Sequence, residues 1–145
     1  MIKITIFLIV LAAIHAKLEL MIEGRKVGWA HNLPCWRVDN VLTHFLIGKE
    51  ITGYHWYLCM MFLLLFHSPF LFISWSLKQE FTCFGYYFIY WLMEDILWFI
   101  ENPYYSLRNF KKGRISWHKR WFWGLPVSYW WGMIIGTVLL IIGGK

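Results

Sequence analysis

Charge is scarce in this chain. Only 15% of its 145 residues are Asp, Glu, Lys or Arg, where a soluble domain carries about 25%. That deficit argues against a surface bathed in water on all sides. Cysteine is scarce as well. Cys35, Cys59 and Cys83 form no C-x-x-C pair, and an odd, scattered set excludes a disulfide framework or a zinc ribbon. Cys59 and Cys83 fall inside apolar runs and read as packing residues. There is no internal repeat, linker or low-complexity tract, so residues 1–145 read as a single domain.

What fills the chain instead is apolar and aromatic surface: 59% hydrophobic residues, 21% aromatic, and eleven Trp. Trp and Tyr favour membrane interfaces because one end of the ring is apolar and the other hydrogen-bonds. The expected fold class is all-α: an integral membrane four-helix bundle, a single transmembrane domain with spans at about 2–22, 53–76, 81–102 and 126–142. The net charge of +6 gathers mostly in two connectors. It reads as a topology signal and as contact with lipid headgroups rather than with nucleic acid.

The first run has two readings. Lys3 before an apolar core, with Ala13 and Ala16 following, resembles a signal peptide. The run continues as helix formers to Gly24, which favours an uncleaved span. His15, Glu19 and Glu23 recur every four residues and share a helix face. Glu19 and Glu23, with Lys17, also fit a plain helix end entering water.

Pro34 breaks the connector that follows, and Val38, Val41, Leu42, Phe45 and Leu46 within it keep helical spacing. They predict a short amphipathic helix lying on the membrane surface. His31 and His44 belong to that connector and read as exposed or capping groups. In the second span Ser68-Pro69 predicts a kink, whose freed carbonyl His67 is placed to satisfy. The short polar turn Leu77 to Glu80 makes the second and third spans antiparallel neighbours.

The third span holds Glu94, Asp95 and Glu101 in its second half. A carboxylate in hydrocarbon costs roughly 2.5–3.5 kcal/mol on insertion scales, so such groups face a protein interior or a wet cavity. Glu94 and Glu101, seven apart, fall on nearly one face. Asn102-Pro103 ends the helix. Residues 104–125 interleave Lys and Arg with Trp, as an interfacial belt against anionic lipid does. In the last span Gly132 and Gly136 form a G-x-x-x-G pattern, a surface for a second copy or another membrane protein.

Eleven of the fourteen Lys and Arg lie on the first and third connectors; only Lys3, Lys78 and Lys145 lie opposite. The positive-inside rule therefore puts both large connectors in the cytoplasm and both termini outside the cell membrane. Alternating helix direction then brings Glu19, Glu23, His55, Glu94, Asp95, Glu101 and His118 to one level, near the cytoplasmic side. Clustered carboxylates repel unless a cation intervenes. Three cations qualify. A divalent metal (Zn, Mn or Fe) suits oxygen and imidazole ligands, with Glu19, Glu23, His55, Glu94, Glu101 and His118 as candidate ligands and Glu94, Asp95 and His118 as candidate catalytic groups. Protons suit a proton-coupled carrier or channel using Glu94 and His67. Arg or Lys partners such as Arg25, Arg108 or Arg114 suit a purely structural salt-bridge network, and a non-catalytic accessory subunit would dock on a partner through the G-x-x-x-G face and the aromatic belt. No H-E-x-x-H or Glu-x-x-His motif is present. A haem shared by His55 and His67 is excluded, because twelve residues place them about 120° apart around one helix.

Glu94-Asp95, Trp98-Phe99, Asn102-Pro103, Trp117-His118 and Trp121 together form an ED-x2-WF-x2-NP…WH-x2-W pattern. It resembles one found in small, uncharacterised prokaryotic multi-span membrane proteins. Glu23-Gly24, Leu33-Pro34, Trp36-Arg37 and Thr52 to His55 fit the same pattern. The resemblance implies that the acid pair, the Asn-Pro break and the Trp-His pair act as one unit, and it implies no activity.

Overall fold

Helix α1 (Ile2–Glu23) lies alongside α4 (Leu77–Glu101), and the two run parallel. Ala12 and Ala16, both fully buried, let the backbones approach, and Leu8 and Leu20 pack above and below them. The computed structural model describes residues 2–26 and 28–144. Lys145, counted above with the outer charges, lies outside the described residues. The architecture is mostly helical, as expected. Two helices, α1 and α6 (Val127–Gly144), are long and apolar enough to cross a membrane.

The second apolar run departs from expectation. Its helix, α3 (Gly53–His67), stops after 15 residues. A 3-10 turn over Ser68–Leu71 follows, and the chain has no helical structure again until α4. Pro69 thus ends the helix rather than kinking it, because Pro lacks the N–H that would continue the ladder. The carbonyl left at Leu65 accepts from the Ser68 hydroxyl at 2.7 Å, not from His67. His67 instead donates to the Leu63 carbonyl at 2.7 Å and meets Glu80 at 3.1 Å. Trp75 holds the other Glu80 oxygen at 2.8 Å, so one carboxylate ties the α3–α4 hairpin.

Helix α4 is central, touching α1, α3 and α6. Its antiparallel contact with α6 is the most extensive in the fold and rests on missing side chains. A Cβ on Gly85 would lie 2.7 Å from Leu140, and one on Gly136 3.0 Å from Ile89. Small residues at such a seam allow close backbone packing. Gly132 and Gly136, expected to offer a surface to a partner, are turned onto Leu92, Phe88 and Ile89 of the same chain.

The connectors are folded too. The expected short helix is α2 (Val41–Leu46), fixed by a reciprocal cap between Asn40 and Thr43, and a single turn, α5 (Ser106–Asn109), follows the end of α4. Val41, Leu42 and Phe45 point outward. Strands β1 (Arg37–Val38) and β2 (Ile51–Thr52) pair around α2, and β3 (Trp121–Phe122) pairs with β4 (Leu125–Pro126) just before α6. The third connector lies over the first: Lys119 N–H donates to the Gly48 carbonyl at 3.3 Å, and Arg120 reaches the Phe45 carbonyl at 3.3 Å.

Candidate functional site

The face of α1 that meets α4 carries His15, Glu19 and Glu23, all buried. Three successive turns of one helix therefore deliver an imidazole and two carboxylates into the interior. From α4, Glu94 joins them at 2% exposure. From the first turn of α3 comes His55, whose ring stands 3.3 Å from Glu23 and 3.9 Å from Glu19. His15 stands 3.8 Å from Glu19 and 4.0 Å from Glu94. Two triads result, His15–Glu19–Glu94 and Glu19–Glu23–His55, each with ligand atoms close enough to hold a metal ion.

Neighbours fix these side chains. Tyr90 Oη lies 2.9 Å from His15 Nδ1, and Thr52 Oγ1 lies 2.6 Å from His55 Nδ1. In His55 the contact to Nδ1 leaves Nε2 toward Glu19 and Glu23; in His15 Nε2 faces Glu19, while Nδ1 also lies 4.0 Å from Glu94. Glu23 accepts the Ala30 N–H at 2.5 Å. That N–H is aimed by an unusual turn: Trp29 and Ala30 both adopt positive φ, at 59° and 50°, a conformation uncommon outside glycine. Arg37 braces the turn, donating to the Ala30 carbonyl and pairing with Glu50. The same turn stacks the Trp29 ring on His55 with centroids 3.7 Å apart.

Lys49 is the cation of this region. It is buried, with Nζ 3.3 Å from the centre of the Trp29 ring. Burial lowers its pKa, while Asp95, Glu19, Glu94 and Glu23 act in the opposite sense and favour the ammonium. His118 and Asp95 form a second pair, 3.8 Å apart, too long for a hydrogen bond. Burial lowers the His118 pKa, and the Lys49 charge lowers it further.

Among the described residues, five buried carboxylate and imidazole atoms of this region have no hydrogen-bond partner: His15 Nε2, Glu19 Oε1, Glu94 Oε1, Asp95 Oδ2 and His118 Nε2. An unpaired buried polar group costs about 1–3 kcal/mol, more when charged, and native interiors hold few of them. Each of the five has another carboxylate or imidazole as its neighbour.

A cavity of about 610 Å³ opens onto the cluster. Glu19, Glu23, His55, Glu94, Asp95 and Lys49 line its polar end. Trp91, Leu92, Phe88, Trp131 and Ile135 line the remainder, along the facing sides of α4 and α6. Arg120 and Phe45 from the connectors also reach it.

Of the residues expected from sequence, Glu19, Glu23, His55 and Glu94 meet as described. Asp95 and His118 pair beside them. Glu101 does not join: it bridges to Lys17 at 3.4 Å, where α1 and α4 reach their ends. His67 is held by Glu80 and takes no part in the cluster. His44 meets Asp39 on the exposed connector, and His31 is exposed. Sequence reading left two members out of the site. His15 was visible as the first of three polar residues four apart. Lys49 had no such signal, being one of several charges on a connector.

Comparison with protein-family models, with curated proteins and with solved structures found no match.

Proposed function

We propose that this chain is a four-span integral membrane protein whose buried His–carboxylate cluster binds a divalent metal ion and acts on a lipid or other amphiphile. The observation that carries the reading is the set of unpaired imidazole and carboxylate atoms, of which those of Glu19, Glu94 and Asp95 line one end of an apolar cavity. A divalent ion held in a triad would satisfy the carboxylate oxygens and ring nitrogens gathered there, and Zn, Mn and Fe accept this mixed donor set. Held there, it would polarise a substrate oxygen or lower the pKa of water. His118 and Asp95, beside the triads, are suited to carry a proton to or from the reacting group.

The membrane reading is supported by what α1 and α6 leave uncovered. Ile2, Ile6, Phe7, Ile14 and Met21 on α1 and Trp131, Ile134, Val138 and Ile141 on α6 are exposed. Only 11% of the apolar window of α6 is buried within the chain. Apolar surface on that scale calls for a cover, and hydrocarbon is the cover that fits two helices of spanning length. With the basic connectors cytoplasmic, the cluster sits just under the inner headgroups. An amphiphile could then place its chain against Trp91, Trp131 and Ile135 and its head at the polar end.

Elemental analysis of detergent-purified protein tests the reading. About one or more equivalents of a divalent transition metal, lost in Glu94→Ala, is the expected result. Less than a tenth of an equivalent, unchanged by Glu94→Ala, overturns it.

A further inference from the structure

Glu19 is the one residue common to both triads. Its Oε1 stands 3.8 Å from His15 Nε2 and 3.9 Å from His55 Nε2. One carboxylate oxygen thus faces two imidazoles that arrive on different helices. With metal–ligand bonds of about 2.0–2.2 Å, two ligand atoms on one ion lie roughly 3–4 Å apart. Both spacings fit that range, and so does the 3.3 Å between His55 and Glu23.

We infer that the site holds two divalent cations bridged by Glu19, one completed by His15 and Glu94 and the other by His55 and Glu23. The inference rests on the metal-binding reading given above and extends it to a pair. Paired metals in enzymes stand about 3.5–4 Å apart. The helix supplies a matching ladder: residues four apart on α1 climb about 6 Å, so His15, Glu19 and Glu23 reach successive levels, with Glu19 in the middle.

Charge points the same way. Glu19, Glu23, Glu94 and Asp95 set four carboxylates around one buried ammonium, Lys49. Three negative charges remain when all are ionised. One divalent ion leaves the cluster still negative. Two leave a single positive charge, which the anionic head of an amphiphile entering the cavity would cancel. Each outer ligand also has its own support: Tyr90 on His15, Thr52 on His55, and the Ala30 N–H on Glu23. Partners of this kind orient metal ligands.

The test is titration of metal-depleted, detergent-purified protein with Mn²⁺ and with Zn²⁺, read by bound equivalents and, for Mn²⁺, by electron paramagnetic resonance. Two equivalents are expected, with a spin-coupled Mn²⁺ pair. Glu23→Gln should retain about one equivalent and show an isolated-ion spectrum, whereas Glu19→Gln should fall below one. Saturation of the wild type at one equivalent, with no coupling, overturns the bridge and leaves the metal-binding reading standing. No binding overturns both. Should Glu19→Gln fail to fold, the wild-type stoichiometry and spectrum decide alone.

Discussion

Tyr90 and His15 form a buried polar contact of the cluster, Oη to Nδ1 at 2.9 Å. When His15 binds a cation through Nε2, its proton resides on Nδ1 and donates to Tyr90 Oη. The phenol then selects the tautomer and holds the ring plane. Removing such an outer partner typically lowers metal affinity 10–100-fold. Tyr90→Phe keeps the ring, which packs against Phe62 and Phe66, so the fold should persist. Competitive titration with a chelator should show a loss of affinity of that order. Unchanged affinity would remove His15 from the ligand set.

Lys49 gives a second prediction. Its ammonium is a buried positive charge that acts on Glu19, Glu23, Glu94 and Asp95, and it rests on the Trp29 ring. Breaking a buried charge arrangement by removing one side typically costs about 3–5 kcal/mol. Lys49→Met keeps most of the apolar stem and deletes the charge. The metal-depleted variant should melt well below wild type, and added Mn²⁺ should recover most of the difference, because the ion replaces the lost positive charge. Thermal melts in detergent, with and without chelator, measure this. An equal deficit in both conditions would show that Lys49 acts through packing alone.

Much of this is legible in the sequence. The ends of α1, α4 and α6 fall within a few residues of the apolar runs, because composition alone defines a helix of that length and apolarity. Helix alternation sufficed to bring Glu19, Glu23, His55 and Glu94 together. Glu101 shows where the same reasoning fails. Seven residues preserve the face but advance about 10 Å along the axis, which carries Glu101 past the cluster to Lys17. Periodicity fixes an angle, and depth has to be counted separately. Lys49 was illegible for another reason. Its burial depends on the Trp29–Ala30 turn and the Arg37 brace, contacts between segments that carry no helical period. The glycine seam was visible as G-x-x-x-G, but the pattern does not say which helix it meets.

His118 makes the stability of the fold depend on pH. Its folded pKa lies below the ordinary value of about 6.5, through burial first and the Lys49 charge next, with Asp95 opposing both. Below about pH 6.5 the unfolded chain takes up a proton that the folded chain refuses. The contribution of this group is therefore complete above that pH and is lost as the pH falls toward the folded value. The slope is at most about 1.4 kcal/mol per pH unit. His118→Gln abolishes this titration. Chemical unfolding of both proteins from pH 8 to pH 5 should show a shallower acid decline in the variant. Parallel curves would rule out His118 as the source.

The seam between α4 and α6 closes one wall of the cavity, and its glycines are not equivalent. A Cβ on Gly85 would meet Leu140 Cγ at 2.7 Å and the Leu140 backbone nitrogen at 3.0 Å. Backbone cannot step aside as a side chain can, so the helices must separate. Overpacking of this kind costs typically about 1–3 kcal/mol. At Gly132 the nearest atom is Leu92 Cγ at 3.3 Å, on a side chain that also borders the cavity and has room to turn. Gly85→Ala should therefore destabilise the protein by an amount in that range, and Gly132→Ala should stay within about 0.5 kcal/mol of wild type. Unfolding of the two variants side by side in detergent measures the difference. Equal effects would mean that α4 and α6 do not pack in this register, and the apolar wall formed by Leu92, Trp131 and Ile135 would have to be redrawn.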